Sequence, residues 1–107
     1  MRIYKGGANW NKLDLMIKER GLLTASKACF LLGIDINGRS IAAVRQAALE
    51  LGHGAIDCQN ILPDLRKRKN YALKLEIKNK LGDTRGRPKY LLVEKDYYYS
   101  IMDRLKA

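Results

Sequence analysis

The sequence predicts an α+β chain, mostly helical: three to four helices in the N-terminal part, a basic β-hairpin over about 71–95, and a closing helix. Apolar residues recur at helical spacing between Trp10 and Leu51, then alternate with polar ones from Tyr71 to Ile77. Between that alternation and the next apolar run lies Gly82-Asp83-Thr84-Arg85-Gly86-Arg87-Pro88, which is turn chemistry. The 107 residues suit one core and hence one domain, 1–107.

Each element has its own signals. Asn9 is a plausible cap for a helix over Trp10 to Arg20, with Trp10, Leu13, Met16 and Ile17 on one face and Gly21 as its stop. Thr24 opens a second helix closing near Leu32-Gly33, its hydroxyl able to accept from an amide of the first turn. Asn37-Gly38 marks a turn, and Ser40 caps a third helix reaching about Leu51. Ile41, Val44, Ala48 and Leu51 form its apolar stripe, leaving Arg45 and Gln46 outside it. After Gly52-His53-Gly54, residues 55–69 read as helical in two pieces meeting at Pro63-Asp64. Tyr71, Leu73, Leu75 and Ile77 alternate with Ala72, Lys74, Glu76 and Lys78, the period of a half-buried strand, although alanine, leucine, lysine and glutamate also suit a helix. Lys89 to Glu94 reads as the returning strand, and Asp96 as the cap of a last helix over Tyr97 to Lys106.

Charge is the first indication of function. The chain carries a formal +10, and its excess is local: residues 66–89 hold ten Lys or Arg against two acids, whereas the other 83 residues hold eleven against nine. Such a cluster attracts polyanions before any specific contact forms. Within it, Arg85-Gly86-Arg87-Pro88 predicts a narrow, doubly charged tip. Glycine permits close backbone approach, proline prevents helix, and guanidinium groups suit a narrow minor groove. Arg66-Lys67-Arg68-Lys69 would either clamp phosphates or end a recognition helix, four adjacent cations being better suited to phosphate.

The run Gly86-Arg87-Pro88-Lys89-Tyr90-Leu91-Leu92-Val93 resembles the wing and returning strand of MarR-like and PadR-like regulators, with Arg87 at the tip and Tyr90 and Leu92 in the strand. Val93 stands where those families carry threonine, and Asp96 where they carry glycine. Thr24 to Ile34 is similar to the first helix of many bacterial helix-turn-helix units. The resemblance implies a winged helix-turn-helix domain, in agreement with the order of elements. The helix from Ser40 would then read bases, with Arg39, Ser40, Arg45 and Gln46 facing the major groove. Arg85, Arg87 and Lys89 would form the wing, and Arg66, Lys67, Arg68 and Lys69 would meet phosphates.

The expectation is a sequence-reading protein of double-stranded DNA, a transcriptional regulator or a control protein of a phage or plasmid. The alternatives are an RNA-binding ribonucleoprotein component and a basic adaptor or inhibitor that docks on an acidic protein. Catalysis is not expected: His53 lies between glycines with no serine or cysteine spaced to complete a triad and no paired carboxylates. Cys29 and Cys58 match neither a zinc spacing nor a disulfide framework, so neither metal nor cofactor is expected and the thiols read as buried and free. Tyr97, Tyr98 and Tyr99 point three ways on a helix; some pack inward, and the others, with Ile101, Met102 and Leu105, suggest a homodimer through the C-terminal helix. With no apolar run of membrane length and no signal core, a cytoplasmic, nucleoid-associated setting is expected.

Overall fold

Tyr90-Leu91-Leu92-Val93 is a short apolar run without alternation, the pattern of a strand covered on both faces. The computed structural model, which describes residues 10–82 and 89–106, places it there. The elements are α1 (Trp10–Arg20), β1 (Leu22–Thr24), α2 (Ala25–Leu32), α3 (Gly38–Glu50), β2 (Gly54–Asp57), α4 (Cys58–Leu65), a 3-10 turn (Arg68–Asn70), α5 (Tyr71–Leu81), β3 (Tyr90–Val93) and α6 (Lys95–Lys106). The three strands form a sheet in the order β1-β3-β2, antiparallel throughout, with Leu23 opposite Leu92 and Ala55 opposite the same residue.

Alternation along the strands sends side chains into two cores. Leu23 and Leu92 join Leu13, Ile17, Ala28, Val44 and Ala48, so α1, α2 and α3 cover one face. Leu22, Leu91, Val93 and Ile56 join Ile61, Leu73, Ile77 and Ile101, so α4, α5 and α6 cover the other. The result is three layers, a small sheet between two sets of helices. At about 1.5–3 kcal/mol for each fully buried aliphatic side chain, β3 alone contributes to both cores.

The first layer follows its local signals. Thr24 caps α2, its Oγ1 accepting from the Lys27 amide at 3.1 Å. Gly33 ends that helix at φ 73°, a left-handed geometry that glycine adopts without penalty, and Ile34 donates back to the Cys29 carbonyl at 2.9 Å. Gly21 at φ 77° likewise turns the chain from α1 into β1. The expected cap at Asn9 lies outside the described residues.

Several expectations are corrected. Residues 71–78 are not a strand but most of α5, so there is no hairpin over 71–95. Leu73 and Ile77, four apart, are buried, while Tyr71 and Leu75 are exposed. The apparent alternation combines two opposite sides of a helix, each repeating every four residues, and strong helix formers prevail. The strand that pairs with β3 is instead β2, within a stretch expected to be helical; at four residues it is too short to establish a period. Pro63 does not divide two helices but lies inside α4, forgoing one intrahelical bond. Asn37, not Ser40, caps α3, and Glu94, not Asp96, caps α6, its carboxylate accepting from the Asp96 and Tyr97 amides.

The fold is therefore α+β and mostly helical, with an order of elements compatible with a winged-helix layout. The connection from β2 to β3 carries α4 and α5 in place of a simple wing.

Candidate nucleic-acid interface

The polar side of α3 is set by what its other side buries. Ala43, Val44, Ala47 and Ala48 face the first core, which turns Arg39 and Ala42 outward and leaves Arg45 and Gln46 half-buried along the flank. Small residues on the inner side let α3 approach α2 closely. The segment between them, 33–37, is anchored by the buried Ile34.

Ser40 cannot take the role expected of it. It is fully buried, and its hydroxyl accepts from the Asn37 amide at 3.0 Å and donates to the Asp35 carbonyl at 2.6 Å. In return its own amide donates to Asn37 Oδ1 at 2.9 Å, completing a capping box. Ser40 is thus a structural residue that fixes the start of α3, and it has no hydroxyl to offer a base edge.

Arg45 meets the far end of the chain. Its guanidinium carbon lies 5.2 Å from the centre of the Tyr90 ring, and Lys89 Nζ lies 5.7 Å from the same ring. Each such contact contributes about 0.5–1 kcal/mol at an exposed site, enough to favour one arrangement of two long cationic chains. The Lys89 carbonyl accepts from the Cys58 amide at 3.1 Å, tying this corner to the start of α4. Residues 83–88, including Arg85 and Arg87, lie outside the described residues, but they lead directly into Lys89. The helix expected to read bases and Lys89 therefore meet at Tyr90. The sequence pattern gives Tyr90 only a strand role; its aromatic ring between basic neighbours is the signal for a second one.

Arg66, Lys67, Arg68 and Lys69 are all exposed, with Lys67 Nζ 3.3 Å from Asp64 Oδ1. They belong to the layer on the opposite side of the sheet from α3. Lys74 and Lys78, four apart on the exposed part of α5, extend the same charge; a strand reading separates them from it and hides the connection. The acid in this stretch, Glu76, is turned toward α6: its Oε2 accepts from the Tyr97 hydroxyl and from Arg104 Nη1 at 2.9 Å. The Tyr97 hydrogen bond, then Arg104, hold the Glu76 carboxyl below its ordinary range, while burial and Glu76 push the Tyr97 hydroxyl up.

His53 is buried, not a loose loop residue: its Nε2 lies 2.6 Å from Asp14 Oδ1, and Lys18 Nζ lies 3.0 Å from Asp14 Oδ2. These bonds, that to His53 first, lower the Asp14 pKa. The shallow cleft beside His53 is lined by Leu49, Gly52, Tyr98 and Tyr99 among others, and brings no hydroxyl or thiol of serine, threonine or cysteine to the imidazole. Burial pushes the Cys29 thiol up and the Cys58 thiol to about 11, so both are neutral near pH 7. Among the described residues no group of three His, Cys, Asp or Glu could hold a metal ion, and no helix is long and apolar enough to cross a membrane.

The C-terminal helix packs on the second core. Ile101 is fully buried, and Tyr98, Met102 and Leu105 pack on the second core, leaving Tyr99 as its exposed large aromatic. Of the apolar residues expected to meet a second copy, Ile101 is taken up by the chain's own core, whereas Met102 and Leu105 remain half-buried.

Compared with family models, curated proteins and solved structures, the chain has no match.

Proposed function

We propose that this protein binds double-stranded DNA in the manner of a winged-helix regulator, with α3 in the major groove and the segment leading into β3 on the neighbouring backbone or minor groove. The observation that carries the reading is the Arg45–Tyr90–Lys89 corner, where the polar flank of α3 and the base of the Arg85-Gly86-Arg87-Pro88 segment adjoin. Arg39 and Gln46 on the same helix supply donors suited to guanine and adenine edges, respectively. Arg45 and Lys89 contact phosphate, since their stacking on Tyr90 fixes a charge and spares little geometry for reading a base. Control of transcription in a phage, plasmid or host would follow from occupancy of a specific site.

The test is selection of bound fragments from a random duplex pool, followed by anisotropy measurements on the selected site. Gln46→Ala should cost about 1–3 kcal/mol on that site and relax preference at one position. Arg45→Ala with Lys89→Ala should weaken all duplexes and reduce the slope of log K against log salt by about 2. Selection that returns no preferred sequence, or an equal preference for structured RNA, would remove α3 as a reader.

A further inference from the structure

The sheet separates two outward surfaces, and the denser charge lies on the one away from α3. Residues 66–80 carry seven Lys or Arg and one acid, and that acid is engaged by Tyr97 and Arg104. The 3-10 turn runs directly into α5, so Arg68, Tyr71, Lys74, Leu75 and Lys78 follow one another at the spacing of a single helical side, opposite the buried Asn70, Leu73 and Ile77. Tyr71 is 60% exposed and Leu75 41% exposed, with cations before, between and after them. Among the described residues no ion pair engages Arg66, Arg68, Lys74 or Lys78.

A solvated helix surface ordinarily mixes both signs of charge and carries few large apolar groups. Here one sign is interleaved with an aromatic ring, a combination that fits a sugar-phosphate backbone, with Tyr71 against a sugar or base and the cations on phosphates. The helix is held rigidly for that purpose, Leu73 and Ile77 being locked in the second core. Helices packed on the two faces of one sheet have axes on the order of 20 Å apart and outer surfaces that point in opposite directions. A straight duplex lying on α3 therefore does not reach Lys78.

We propose that the surface formed by Arg66, Arg68, Tyr71, Lys74 and Lys78 is a second nucleic-acid site, binding backbone without regard to sequence, so that one chain holds two duplex segments at once. The bridging rests on the reading of α3 as the first site. The protein would thus act as a cross-link between a chosen DNA site and another stretch of DNA.

The experiment uses the full chain, a bead-bound duplex of the selected sequence and a labelled duplex of unrelated sequence, each about 20 base pairs at 3.4 Å per step. The wild-type protein should retain the labelled duplex on the beads, and added salt should release it. The variant Arg66→Gln, Arg68→Gln, Lys74→Gln, Lys78→Gln changes only exposed positions. It should bind the bead duplex within about threefold of wild type yet capture at least about tenfold less of the second, because four cations no longer neutralise its phosphates. Tyr71→Ala alone should give a smaller loss of capture. If the wild-type protein binds the beads but captures no second duplex, or if the fourfold variant captures as well as wild type, the second site is overturned and the α3 reading stands. If the wild-type protein fails to bind the bead duplex while binding the labelled one directly, the α3 reading falls and the α5 surface stands as a lone site, which overturns bridging. Preference of this surface for vesicles of phosphatidylserine over duplex, lost in the same variant, would also overturn it.

Discussion

The two helical layers are built on the same three strands, but they differ in how they are specified. In the α1–α3 layer most of the punctuation can be read locally, Thr24 at a start and Gly21 and Gly33 at stops, and only the cap of α3 is displaced, from Ser40 to Asn37. In the α4–α6 layer the caps are an aspartate and a glutamate that sequence reading passes over, Asp57 and Glu94, and a proline lies inside a helix. Both layers are pinned by local hydrogen bonds and both cover the sheet; they differ in how plainly the residue types announce their ends. The second layer also carries the run of cations between residues 66 and 80.

This contrast can be broken or sharpened by experiment. The largest effects should come from truncating Leu92, which faces the first core, and Leu73, which faces the second; each should cost about 2–5 kcal/mol in denaturant unfolding. Trp10 packs on the first core and reports on that layer, whereas Tyr97 and Tyr98 pack on the second. Because β3 feeds both cores, Trp10 fluorescence and far-UV circular dichroism should give coincident transitions in wild type and both variants. Separate midpoints would show the layers to be independent units.

A smaller effect is expected at the junction of β2 and α6. A Cβ placed at Gly54 would come far inside contact distance of the Cγ and Cδ1 atoms of Tyr98, so Gly54→Ala should cost about 1–3 kcal/mol as α6 is displaced. Pairing it with Tyr98→Ala should recover part of that loss in a double-mutant cycle, because the clash then has no partner. Additive costs would place the strain elsewhere.

The smallest effect is on acid stability. Asp14 in the first layer and Glu76 in the second both have lowered pKa values, through His53 and Tyr97 first. The unfolded chain then binds protons at a higher pH than the folded one, so their contribution is present above the ordinary values of 3.8 and 4.5 and is lost as pH falls below them. Asp14→Asn and Glu76→Gln should each flatten the fall of unfolding free energy between about pH 5 and pH 2. An unaltered slope in either would show that pair to contribute nothing in solution.

What is legible in the sequence follows the same division. The bounds of α2 agree with its cap at Thr24, the ends of α1 and α2 agree with Gly21 and Gly33, and the buried Leu13, Met16, Ile17, Ala25 and Ala28 agree with their spacing. The α5 region misleads because alternation over seven residues also satisfies a helix whose inner side needs only Leu73 and Ile77. β2 is hidden because four residues give no period, and its pairing with β3 is decided by a distant strand. Among the residues proposed for the interface, the outward and flank positions of Arg39, Arg45 and Gln46 follow from helical spacing, whereas Ser40 is misassigned because capping and base contact ask for the same residue type. That Arg66 to Lys69 lie across the sheet from α3 has no local signature, since it depends on which face of the sheet each helix covers.

The middle strand of the sheet is also the one the chain makes last. β1 and β2 do not pair with each other; each waits for β3, through pairs such as Thr24 with Leu91 and Asp57 with Tyr90. During synthesis from the N-terminus, the first three helices therefore leave the ribosome without the strand that joins them to the rest, and both early strands have bare edges until Val93 has emerged. Completion of the fold is thereby tied to the synthesis of Tyr90–Val93, and a nascent or truncated chain ending before Tyr90 would present two unpaired strands, open to a chaperone, a protease or another unfinished copy.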